Sequence, residues 1–213
     1  MRTLDEYAKI FRTDKSSLFH NYCHFYEKQL KNINPINILE IGIGTDKMVG
    51  YGGSLKMWGS YYPKATVLGL DIDKISVSKT YGKNIKTSYC DSSNKESLVR
   101  TVSGNTYDII IDDGSHMQSH QHISLDTLWP FVRSGGVFIM EDIHHWDVNN
   151  SFSKTKHDDP INPPTKFLLE NENLTSTLVP SLSQIRNELS KPIVFYTGRR
   201  GIRRSLTAVL HKR

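Results

Sequence analysis

Five short apolar segments of this chain each run into an acid, and those acids are the residues best placed to do chemistry. Asn37-Ile-Leu-Glu-Ile-Gly-Ile-Gly44 carries Glu40 just ahead of a glycine pair. Thr66–Asp71 ends in Asp71, and Lys86–Asp91 in Asp91. Tyr107–Asp113 ends in Asp112 and Asp113, and Gly136–Asp142 in Glu141 and Asp142. One acid at a strand end commonly does no more than form a turn. Five sets delivered to one rim are hard to obtain from packing alone. The spacing Glu40-x-Gly42-x-Gly44 has Lys47 where a dinucleotide fingerprint needs its third glycine, so a pyrophosphate cradle is not expected. An acid two residues before the first glycine repels a pyrophosphate but welcomes a cationic or hydroxyl-rich ligand. Asp71 suits a ribose diol, since a carboxylate accepts from two hydroxyls. Asp91 suits an adenine amino group.

The second group is Asp113, Glu141 and Asp142, hard oxygen donors that select Mg²⁺, Ca²⁺ or Mn²⁺ over zinc. His116 and His120 are spaced like a zinc pair, yet the glutamate of His-Glu-x-x-His is missing after His116. His116, three residues past Asp113 across Gly114-Ser115, is instead the candidate general base. His120 and His122 are expected to be solvated or supporting. His144 and His145 are the next candidates for the base. Trp58 and Trp129 are expected in the core. Tyr22 and Tyr26, four apart, belong to the core or to the edge of a site.

The elements that must position these residues alternate. Between the five strands lie helical patterns at Ser54–Tyr62, Ser93–Val102 and His120–Val132, the last stopped by Arg133-Ser-Gly-Gly136. Such alternation predicts an α/β fold with a doubly wound, mainly parallel sheet. Residues 1–35 read as an N-terminal helical cap, 36–198 as the main domain with a late strand at Ile193–Tyr196, and 199–213 as a basic tail. The polar segment 147–165, with Pro160, Pro163 and Pro164, reads as a lid that orders over the site.

The formal charge is +5 in 213 residues, but Arg186 onward contributes +7 and the remainder −2. The basic character therefore belongs to the C-terminal stretch, where it is either solvated or attracts a phosphate-bearing or membrane-linked partner. Nucleic acid binding is disfavoured by the acidic body. Two cysteines make no disulfide framework or zinc site, no apolar run reaches the ~20 residues of a membrane span, and the start has no apolar leader core. A cytoplasmic location is expected.

Glu40-x-Gly42-x-Gly44, Asp71 and Asp91 resemble the nucleotide-binding motifs of class I S-adenosylmethionine-dependent methyltransferases. Thr13-Asp-Lys15, the Tyr22/Tyr26 helix, Gly52-Gly-Ser-Leu55 with Trp58, Ile111-Asp-Asp-Gly-Ser-His116, Leu128-Trp-Pro130 and Ile139-Met-Glu-Asp142 are similar to the macrocin/mycinamicin-type sugar O-methyltransferases. The resemblance implies S-adenosyl-L-methionine and Mg²⁺ (or another divalent cation) as cofactors, a sugar hydroxyl as acceptor and a homo-oligomer. It implies cofactor contacts from Thr13, Lys15, Glu40, Gly42, Gly44, Ser54, Asp71, Asp91 and Asp112, a metal on Asp113, Glu141 and Asp142, and His116 as base. Arg12 stands where the family has glycine, and the large N-terminal extension of some members is missing. The alternatives are a catechol-type O-methyltransferase, an RNA methyltransferase or nucleic-acid-binding protein using the basic stretch, and an inactive scaffold.

Overall fold

The computed structural model describes residues 2–44, 51–143, 159, 161–200 and 203–213. Lys47, His144, His145 and most of the expected lid lie outside the described residues. Two short helices open the chain, α1 (Leu4–Ile10) and α2 (Tyr22–Gln29). Thr3 caps α1 through a capping box with Glu6, which satisfies amide donors at its start.

Then come β1 (Asn37–Ile41), α3 (Gly53–Tyr61), β2 (Thr66–Asp71), α4 (Lys74–Val77), β3 (Ile85–Tyr89), α5 (Lys95–Val102), β4 (Tyr107–Asp112), α6 (Gln118–Leu128) and β5 (Val132–Ile143). After these follow α7 (Thr165–Glu170), α8 (Leu182–Asn187), β6 (Val194–Arg200) and β7 (Arg203–His211). The seven strands form one sheet in the order β3-β2-β1-β4-β5-β7-β6. Strands β1 to β5 are parallel, while β7 pairs antiparallel with both β5 and β6. This is the doubly wound, mainly parallel sheet expected from the alternation, and the winding reverses between β1 and β4. A ligand crevice belongs at the carboxyl ends of those two strands.

The inner strands are apolar on both faces because helices cover both. Every residue of β4 is buried. One core joins Leu39, Ile110, Phe138 and Met140 to Leu125, Leu128 and Leu168; the other joins Ile38, Ile109 and Ile139 to Leu4, Tyr26, Leu55 and Trp58. Trp58 and Trp129 are core residues. Cys23 and Cys90 are buried free thiols.

Two expectations change. The stretch from 199 is not a tail: it completes β6 and supplies β7, an interior strand in which Leu206, Ala208, Val209 and Leu210 are buried. The apolar run between two pairs of arginines and a basic terminus drives it into the sheet, so the main domain extends to the end of the chain. Second, α6 stops at Leu128, and Arg133–Gly136 lies within β5 rather than ending a helix. Of the two places expected for His122, solvated or supporting, the structure gives a buried one beside the Ser176 hydroxyl.

Candidate active site

The turn after β1 is shaped by Gly42, with φ at +82°. A side chain there would run into the backbone carbonyl of Asp113 and come within 2.9 Å of Gly114 Cα. Only glycine lets the β1 and β4 ends approach this closely. Around them opens a cavity of about 500 Å³, within the usual range for a small-molecule site. Its wall is built from the four strand ends: Ile41 to Gly44, Asp71, Asp91, and Asp113 to His116.

Backbone amides aim the acids on one side. Asp71 accepts from the Ile43 amide at 2.9 Å and the Asp73 amide at 2.8 Å, one on each oxygen. Asp91 accepts from the Ser93 hydroxyl at 2.6 Å and the Ser93 amide at 2.9 Å, both on Oδ1. The Ser93 hydroxyl holds the Asp91 carboxyl below the usual carboxylate range.

The other side is a charge cluster. Lys15 is fully buried, and its Nζ lies 2.5 Å from Asp113 Oδ2, 2.8 Å from Glu141 Oε2 and 3.7 Å from Glu40 Oε1. Burial opposes its charge, but Asp113, Glu141 and Glu40 outweigh burial and hold it protonated. Burial pushes the Glu40 carboxyl up to about 7 against the pull of Lys15. The Asp113 and Glu141 carboxyls are likewise raised by burial, and each is raised further by the other's charge or by Asp142.

Asp142 behaves differently. It accepts from the Tyr22 hydroxyl at 2.9 Å and from the Ser205 hydroxyl, and His116 Nε2 lies 3.7 Å from its Oδ2. Burial alone would raise its carboxyl; His116, His20 and these hydroxyls hold it at about 2. His116 and Asp142 face each other with φ of +59° and +50°. Left-handed backbone costs such residues roughly 1–2 kcal/mol each, and strain of this kind gathers at functional sites. At Asp142 the pairing of β5 with β7 shifts register, which frees the turn. Gln121 holds the Glu141 carbonyl and Thr207 that of Met140, at 3.1 and 2.9 Å.

These donors fit a hard divalent cation. Asp113, His116 and Asp142 each bring a ligand atom within 4.8 Å of the others. Glu141 Oε1 is buried without a hydrogen bond in the protein, as a carboxylate kept for a cation would be.

Thr13, Gly42, Gly44, Ser54, Asp71, Asp91, Asp113 and His116 line the cavity. Glu40, Lys15, Asp112, Glu141 and Asp142 lie behind that lining. Asp112 turns into the core, where it accepts from the Ser124 hydroxyl and the Gly114 amide; it is a structural acid. Lys15, expected near the cofactor, belongs with the acids Asp113 and Glu141. Ser205 escaped sequence reading because its strand did, Phe19 lines the cavity without any spacing signal, and Asp14, inside the Thr13-Asp-Lys15 motif, lines it without having been assigned a role.

No family model matches the chain. Among curated proteins, mycinamicin VI 2''-O-methyltransferase of Micromonospora griseorubida is 35% identical over 144 residues, covering 66% of this chain and 36% of that one. Demethylmacrocin O-methyltransferase of Streptomyces fradiae is 31% identical over the same length and shares. Over this stretch the chain is similar to both O-methyltransferases. The match spans about a third of those relatives' length. Among solved structures, the MycE methyltransferase of mycinamycin biosynthesis, in complex with Mg and SAH, superposes with a TM-score of 0.69 at 26% identity. The superposition covers 99% of this chain and 55% of that one. A putative O-methyltransferase from Klebsiella pneumoniae superposes at 0.57 with 13% identity, covering 98% and 89%, and shows the same fold. The sheet and its flanking helices are those of the Rossmann-like class I methyltransferases.

Proposed function

We propose that the chain is an S-adenosylmethionine-dependent and divalent-cation-dependent O-methyltransferase that acts on a sugar hydroxyl. The observation that carries this reading is the division of one cavity: Asp71 and Asp91 on one wall, and Asp113 and His116, backed by Asp142, on the other. Two curated relatives are named as O-methyltransferases of an L-olivosyl and an L-rhamnosyl compound, which supports a sugar acceptor, and the solved MycE structures hold Mg and SAH, which supports both cofactors. The acceptor is a sugar or glycoconjugate. The 147–165 segment is a proposed lid that selects it, and a homo-oligomer is the proposed assembly.

When bound, the sulfonium supplies an activated methyl group and the divalent ion lowers the pKa of the acceptor hydroxyl. The chain's own residues do the rest. Asp71 accepts the ribose hydroxyls and Asp91 the adenine amino group, which fixes the cofactor along the β1–β2–β3 ends. Asp113, Glu141 and Asp142 would hold the cation at the β4 and β5 ends. His116 takes the acceptor's proton on Nε2, and the neighbouring Asp142 carboxylate stabilises the imidazolium that forms. Gly42 keeps the β1 and β4 ends in close approach, so that both walls face one cavity. Among the described residues no helix is long and apolar enough to cross a membrane.

Titration calorimetry with S-adenosylhomocysteine and with NAD, each in the presence of Mn²⁺, tests the cofactor half. Binding of the first and not the second is expected, since the third glycine is missing. Tight NAD binding with no heat from S-adenosylhomocysteine would refute it.

A further inference from the structure

Lys15 is fully buried, and a buried ammonium is costly unless several carboxylates surround it. Three do: Asp113 at 2.5 Å, Glu141 at 2.8 Å and Glu40 at 3.7 Å. Lys15 donates hydrogen bonds to Asp113 and Glu141, and Glu40 adds its charge from 3.7 Å, so the compact ammonium is spent on these acids. Asp113 thereby has a cation on one side. On its other side its carboxylate lies within 4.8 Å of the donor atoms of His116 and Asp142. A shared acid with two positive partners is the layout of a two-metal centre, whose ions sit about 3.5–4 Å apart.

We propose that Lys15 is the second cation of this centre, an ammonium built into the chain where a two-metal enzyme places its second ion, so that the site accepts a single divalent cation. The proposal rests on the metal-dependent reading above and deepens it. Charge balance supports it. With a divalent ion bound to draw every carboxyl into its charged form, Glu40, Asp113, Glu141 and Asp142 against Lys15 count as three negative charges before that ion is added. One divalent ion leaves one, which a sulfonium-bearing cofactor cancels. A second divalent ion in place of the ammonium would leave the site neutral before the cofactor arrives and positive afterwards, opposing a sulfonium. Lys15 is thus a positioning residue: it fixes Asp113 and Glu141 and sets the charge the cofactor meets. The sequence offers it from the loop between α1 and α2, far in the chain from the acids it serves, so the cap and the sheet are tied at the site itself.

The test is Mn²⁺ titration of the full chain saturated with S-adenosylhomocysteine, read by electron paramagnetic resonance and by metal count per chain. Wild type should bind one Mn²⁺ with the spectrum of an isolated ion. Lys15→Met and Lys15→Gln should each bind two, with the spectrum of a spin-coupled pair. If these variants unfold without metal, recovery of the fold at two Mn²⁺ per chain gives the same answer. The proposal is overturned by a wild type that binds two ions, by folded variants that bind one ion with wild-type affinity, or by variants that Mn²⁺ at no concentration folds. A wild type that binds no Mn²⁺ removes the metal-dependent reading itself, a separate failure that takes the proposal with it.

Discussion

Replacing Gly42 by alanine should do more damage than any other single methyl group added to a turn among the described residues. Two costs combine. The position has φ at +82°, which charges an alanine roughly 1–2 kcal/mol of left-handed strain. The new methyl would also strike the Asp113 carbonyl and approach Gly114 Cα to 2.9 Å. Both obstacles are backbone, so they do not swing aside, and overpacking of this kind costs typically 1–3 kcal/mol. Together the loss is about 2–5 kcal/mol, a fall in Tm of roughly 5–15 °C for a chain of this size. Gly104 separates the two costs: its φ is +85°, but a methyl there meets nothing within 4 Å. Gly104→Ala should therefore lose only the strain. The clash also displaces Asp113, so Gly42→Ala should bind Mn²⁺ at least tenfold more weakly while Gly104→Ala binds normally. Thermal denaturation and Mn²⁺ titration of both variants decide it. Equal Tm values and equal Mn²⁺ affinities would refute the claim that Gly42 holds the two walls together.

Asp71→Ala should weaken S-adenosylhomocysteine binding by ~1–3 kcal/mol, through lost hydrogen bonds to a charged acceptor; unchanged calorimetric affinity would contradict the ribose assignment. His116→Ala should lose roughly 10²–10⁴ in turnover on a glycoside acceptor while binding S-adenosylhomocysteine as before, and undiminished turnover would hand the base to another group. The His211 imidazole is pushed down to about 4 from 6.5 by burial and by Lys191. A base with a depressed folded pKa gives stability that is complete above 6.5 and lost as pH falls from 6.5 towards 4. Its contribution is on the order of 2 kcal/mol, so His211→Gln, which can still reach Gln29, should flatten the Tm–pH curve in that window.

What the sequence revealed of this molecule depended on how local each signal is. The strands β1, β2, β4 and β5 announce themselves, because each is an apolar run with a turn signal and an acid at its end; β3, polar and only half-buried, is the weaker signal. β7 did not, because four arginines frame an apolar segment near a terminus and the charges dominated the reading. The rim acids were legible as a set, but not their duties. Asp112 and Asp113 are adjacent, and strand alternation sends one to Ser124 in the core and the other to Lys15. Nothing in local spacing tells which is which. The link from Lys15 to Glu141 spans 126 residues and exists only through the fold. The left-handed backbone at His116 and Asp142 is likewise imposed by tertiary structure, since neither residue demands it.

The central claim is methyl transfer to a sugar oxygen by a divalent-cation-dependent site. The most direct measurement incubates the full chain with methyl-labelled S-adenosylmethionine and a panel of glycosides, with and without EDTA, and locates the label by mass spectrometry. Label on a sugar oxygen, abolished by EDTA and restored by excess Mg²⁺, is the predicted result. Transfer that proceeds unchanged in excess EDTA, or label carried on nitrogen or on nucleic acid, would contradict it.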